Sequence, residues 1–156
     1  MMSNDTGLDE MCGILPRTAE FLFAEMARMR MHGNKEYFLE ISSLEVYCEN
    51  VQDLYAESEQ LGKSLNLITV KNKVVIQGQT WKKVKNSAQF LEYIKLSSNR
   101  RVFSSNGMNE HSSRSHHIFQ IKINGQDSRY ESFQSLLNII DLAGSERRAN
   151  MQPAPT

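Results

Sequence analysis

Behind Pro16, apolar positions recur at helical spacing: Leu22, Met26 and Met29 line one side, while Glu25, Arg28 and Arg30 fall elsewhere around the turn. Proline suits a first helical turn, whose N–H groups have no partner to lose, so a helix is predicted from Pro16. His32-Gly33-Asn34 supplies its left-handed cap, and the methionine stripe reads as a buried face. From Tyr37 the period shortens to two. Tyr37, Leu39 and Ile41 alternate, then Leu44 and Val46 take the other parity, so either both faces of this strand are buried or a bulge intervenes. The polar run "AESEQLGKS" follows, and then two short strands, Leu65–Val70 and Val74–Gln77, joined by a hairpin at 71–73. Ser87 is placed to cap a helix running to about Ser98, with Phe90, Leu91 and Ile94 facing inward. Phe119, Ile121 and Ile123 share one strand face, and the chain turns around 125–127. Leu136 to Leu142 is nearly all apolar, the pattern of a strand buried on both faces. Residues 1–13 read as a loop and 151–156 as a disordered tail. This alternation of strands and helices predicts a layered α/β sheet.

Composition narrows the class without naming a function. The 156 residues suffice for one domain with a core, and 18 basic side chains balance 18 acidic ones. No net charge argues for nucleic acid, and no apolar run approaches a membrane span. Cys12 and Cys48 lack metal-ligand or redox spacing, so they read as reduced thiols of a cytoplasmic protein; the polar, acidic start is no signal peptide.

The chemistry concentrates in two stretches. The apolar strand ends in "IIDLAGSER" (139–147), and a strand running into Asp-x-x-Gly is how nucleotide triphosphatases sense a terminal phosphate. Asp141 can hold a magnesium-bound water, and Gly144 lets a backbone N–H approach the phosphate where a side chain would block it. In "NEHSSRSH" (109–116), Ser112 and Ser113 offer hydroxyls to magnesium or a phosphate oxygen. Arg114 can form a fork-like, charge-assisted pair with Glu146. Such a bridge forms and breaks as phosphate comes and goes.

With these residues in view, "NEHSSRSH" resembles the first switch of the kinesin motor domain and "DLAGSE" (141–146) its second. Six specified residues recur by chance on the order of once per ten million positions, so two such motifs in the right order are specific. "GILPR" (13–17), "LEVY" (44–47), "VQDLY" (51–55) and "SSNRR" (97–101) also resemble kinesin segments, in kinesin order, so the similarity runs from about residue 13 to 148. The resemblance implies a partial kinesin-type P-loop NTPase motor domain over residues 1–150. It would have a central mixed β-sheet with flanking helices and be incomplete at both ends. Its implied activity is ATP-dependent movement along microtubules, with Mg-ATP as cofactor, tubulin as partner and the cytoskeleton as location. Position by position, it implies that Asn109 helps place the reacting water and that Ser112 lies near the γ-phosphate. Ser113 and Asp141 are on the magnesium side, Asp141 through water, and the Gly144 N–H meets the γ-phosphate. Arg114 and Glu146 close the two switches, and His116 has a structural part.

The chain departs from the family in two places. No G-x-x-x-x-G-K-[ST] loop occurs; the one Gly-Lys-Ser, at 62–64, has Glu57 where the first glycine belongs. The expectation for the chain alone is therefore a non-catalytic fragment or interaction module. Gly107 reads as a one-residue insertion ahead of Asn109. Lys82, Lys83 and Lys85 lie where the resemblance places a secondary contact to the acidic tubulin surface, although a solvated strand end explains them more simply. Trp81 beside them is expected as a core or edge anchor. His111, His116 and His117 make a poor metal cluster, because His116 and His117 point to opposite strand faces. No G-x-S-x-G elbow supports a serine nucleophile. Exposed edges and apolar faces are expected of a sheet lacking neighbouring strands.

Overall fold

A computed structural model describes residues 13–32, 36–103, 114–126 and 132–145. The expected terminal loop before residue 13, the Gly33-Asn34 cap, the turn after Gln126 and the tail at 151–156 lie outside them. Helix α1 spans Ile14–His32. It starts two residues before Pro16, which sits within the first turn where its missing N–H costs nothing. Leu15, Ala19, Leu22, Phe23 and Met26 form its inward stripe, whereas Met29, expected inward, is 40% exposed on the overhanging C-terminal half.

Strand β1 (Glu36–Tyr47) is the spine of the sheet. It runs antiparallel to β6 (His116–Gln126) in unbroken register from Glu36↔Gln126 to Val46↔His116. There is no bulge; the change of parity marks a strand buried on both faces from Ile41 to Glu45. At its other edge β1 pairs with β2 (Asn50–Asp53) and, further back, with β5 (Lys82–Val84). Cys48 and Glu49, with φ of 47° and 64°, make the two-residue β1–β2 turn in the left-handed backbone region that matches strand twist. Lys71 and Asn72 do the same between β3 (Asn66–Val70) and β4 (Lys73–Gln77), the predicted hairpin.

Helix α2 spans Ser87–Phe103, five residues beyond its expected end. Its cap is Asn86, one residue before the expected Ser87: the Asn86 Oδ1 accepts from the Gln89 N–H at 2.8 Å, and Gln89 reaches back to the Lys85 N–H at 2.9 Å. Phe90 of α2 packs with Ala19 and Met26 of α1 on Leu39, Ile41, Phe119 and Ile121, so both helices cover one sheet face. The other face carries amides and hydroxyls. Gln79 bonds Ser42 and Gln120, Gln120 bonds Asn138 at 2.8 Å, and Asn124 bonds Glu40 at 3.0 Å.

Strand β7 (Ser132–Asp141) corrects two expectations. The four-strand path is β2-β1-β6-β7, which leaves β7 at an edge among the described residues. Leu136, Ile140 and Leu142 are exposed, and Ile139 alone in this strand is half-buried against the core. The apolar run is therefore not buried on both faces: no described element covers its outer edge, and the helices sit over β1 and β6. Every described pairing is antiparallel, where a mixed sheet was expected.

Candidate functional site

The β6–β7 register brings the two motif regions together. His117 faces Asp141 across the strands, so Arg114 and Gly144 each lie three residues beyond that pair at the same end of the sheet. Arg114 and Gly144 are exposed there, and the Asp141 side chain is 72% exposed at the strand's end. Asn109, Ser112, Ser113, His111, Gly107 and Glu146 lie outside the described residues, and with them the Arg114–Glu146 bridge.

Two contacts join the motifs. His116, at the start of β6, accepts a hydrogen bond at Nδ1 from the Ala143 N–H at 3.0 Å, directly before Gly144. Behind it stands a buried polar cluster that the motif reading missed. Arg101, at the end of α2, reaches Glu45 Oε1 with Nε at 3.4 Å, Asp141 Oδ2 with Nη1 at 3.5 Å and Ser115 Oγ with Nη2 at 3.3 Å. Ser115 in turn donates to Glu45 Oε1 at 2.7 Å. The Glu45 side chain is 1% exposed, deep enough that its charge requires such partners. One signal was legible: a glutamate closing the β1 run that is buried on both faces.

His117, inward where His116 is outward, lies 2.8 Å from Ser43 Oγ through Nε2. Its pKa is pushed down to about 4, first by burial and then by the Arg101 charge, with Asp141 and Glu45 pulling the other way. No group of three or more His, Cys, Asp or Glu gathers among the described residues.

The Gly62-Lys63-Ser64 run is no phosphate cradle. It forms a turn leading into β3, with no helix after it. A cradle needs N–H groups free to face the phosphate. Here the Gln60 and Leu61 N–H groups donate to Glu57 O at 2.9 and 3.0 Å, and the Lys63 N–H donates to Gln60 O at 3.1 Å. The adjoining cavity, about 370 Å³, is lined by Asp53 and Glu57 as well as Lys63. Among the described residues, then, Asp141 and Gly144 share one sheet end with Arg114, and the Gly62-Lys63-Ser64 turn offers no phosphate cradle.

Both candidate tubulin-contacting lysines are locally engaged. Lys82 Nζ lies 3.6 Å from Glu57, and Lys83 Nζ sits 4.5 Å above the Phe38 ring. Lys85 is exposed, and the half-buried Trp81 ring lies under Lys122 Nζ at 3.7 Å.

The model of the kinesin motor domain matches residues 1–155. This chain belongs to that family. Its relatives include the chromosome-associated kinesin KIF4 of Mus musculus, 34% identical over 143 residues that make up 90% of this chain and 11% of the relative. The kinesin-like protein Klp68D of Drosophila melanogaster is 33% identical over 149 residues, 95% of this chain and 18% of the relative. A solved structure of a fast kinesin superposes with a TM-score of 0.77 at 28% identity, over 92% of this chain and 40% of that one. The motor and motor homology domain structure of Kar3Vik1 gives 0.73 at 29% identity, over 92% and 36%. The architecture is accordingly that of a partial kinesin motor domain, and the chain spans a small part of the kinesins it matches. No described helix is long and apolar enough to cross a membrane.

Proposed function

We propose that these residues are the phosphate-sensing centre of an ATP-driven microtubule motor domain, and that the 156-residue chain by itself does not hold nucleotide. The observation that carries both halves is one sheet end with motif residues from β6 and β7 side by side, while around the one Gly-Lys-Ser the Gln60, Leu61 and Lys63 N–H groups donate to carbonyls of their own turn. Within a complete motor, Asp141 and Ser113 would stand on the magnesium side, and the exposed Gly144 would present its N–H to the γ-phosphate. Ser112 and Asn109 would border the attacking water, and Arg114 and Glu146 would close over it. Bound magnesium would neutralise phosphate charge; the chain's own groups orient and exclude water. The tubulin surface is the proposed partner, with Lys82 and Lys83 as secondary contacts, and the microtubule cytoskeleton the proposed location.

Calorimetric titration of the purified chain with Mg-ATP tests the nucleotide half. No saturable binding is expected below millimolar concentration, because neither a phosphate cradle nor its lysine is in place. Micromolar affinity that disappears in Gly144→Ala would overturn it. Co-sedimentation with microtubules tests the partner: Lys82→Glu with Lys83→Glu should weaken binding, and unchanged binding would remove both lysines from the contact.

A further inference from the structure

Arg101 is the described side chain that reaches both motif regions at once. It extends from the end of α2 between Ser115, which precedes β6, and Asp141, which ends β7. Its own position is fixed from below by Glu45 on the central strand, and Ser115 is tied to that same carboxylate oxygen. A planar guanidinium suits this task because its donors leave in fixed directions, so three oxygens on three strand or loop segments meet one rigid group. The contact energies are uneven. The Glu45 end is buried and costly to break, whereas the Asp141 end is open to water and weak.

We propose that Arg101 is a positioning residue: anchored on Glu45, it holds the Asp141 carboxylate and the Ser115 hydroxyl and thereby sets the two switch segments relative to one another. That this arrangement serves nucleotide sensing rests on the function proposed above; the clamp itself does not need nucleotide. Each contact lies on a different element, so loss of Arg101 removes a link that neither β6–β7 pairing nor the His116–Ala143 bond replaces at the Asp141 side chain.

The test is amide hydrogen exchange on the full chain at constant pH, without nucleotide, so that its failure stays separate from failure of the Mg-ATP reading. Glu45→Met with Arg101→Met replaces the buried pair by apolar side chains, which typically preserves stability. In that double variant the Ala143 amide, which donates to His116, should exchange about fivefold faster, while the Ile41 and Phe119 amides hold their wild-type rates. Unchanged exchange at Ala143, or an equal rise at Ile41 and Phe119, would overturn the proposal. Should the double variant fail to fold, Asp141→Asn cuts only the exposed end of the clamp. It should speed Ala143 exchange in the same way, and a wild-type rate there would sink the idea.

Discussion

At the scale of single residues, burial decides what the polar groups behind the site require. His117 lies against Ser43 and Phe119 with its pKa lowered to about 4, so it is neutral in the folded protein at neutral pH. An unfolded chain would protonate it near 6.5. Between those values the unfolded state binds the extra proton, so this group's stabilisation is complete above about 6.5 and is lost as pH falls toward about 4. The loss is a few kcal/mol, about 3 at most. Urea midpoints measured from pH 7 to pH 4 should fall less steeply in His117→Asn than in wild type; parallel curves would show that the imidazole does not contribute. Glu45 poses the complementary case. Glu45→Gln removes the charge facing Arg101 while keeping the shape, and should cost about 2 kcal/mol in urea unfolding. A cost below a few tenths would mean that water already screens the pair.

At the scale of elements, what could be read in advance depended on whether a local rule decided the outcome. The 71–73 hairpin, α1 and the two faces of β6 follow from turn chemistry and periodicity, which are local. Helix α2 runs past its expected end at about Ser98, and two arginines in its last turn find partners outside it. Arg100 donates to the carbonyls of Leu54 and Ala56 at 2.7 and 3.0 Å, and Arg101 enters the polar cluster. Those long-range partners extend the helix by another turn and leave no sequence period. That Asp141 and Gly144 follow an apolar strand was legible from the sequence, but the polar cluster behind them was not, since Glu45, Arg101 and Ser115 come from three distant segments. The β1–β2 turn offers an element-scale prediction. Cys48 and Glu49 both occupy the left-handed region, which non-glycine residues enter at a cost of about 1–2 kcal/mol each. Glu49→Gly should therefore raise the urea midpoint by an amount equivalent to about 1 kcal/mol; a lower midpoint would mean that the Glu49 side chain contributes more than its backbone costs.

At the scale of the whole molecule, core and surface are unevenly divided. Leu39, Ile41, Phe90, Phe119 and Ile121 form a closed cluster, but β7 ends the sheet with Phe133, Leu136, Leu137 and Ile140 exposed. Its sequence Ser132 to Ile140 contains no charge and no proline, the two devices that usually prevent a strand edge from pairing with another chain. An apolar run reads as a buried strand, but burial depends on neighbours, and no described element lies on the outer side of β7. The physical consequence is association. At micromolar concentration the chain should self-associate in sedimentation velocity, with a loading-dependent mean mass, since unpaired edges and exposed apolar faces are the features that drive it. Leu136→Lys with Ile140→Lys places two charges on the face away from the helices, where both side chains are already more than half in water. That variant should sediment as a monomer with an unfolding midpoint close to wild type, because little buried area is lost. A wild-type chain that is monomeric at the same loading would remove β7 as an association surface. A double variant that associates as before would place that surface elsewhere, with the exposed β3–β4 hairpin the next to change.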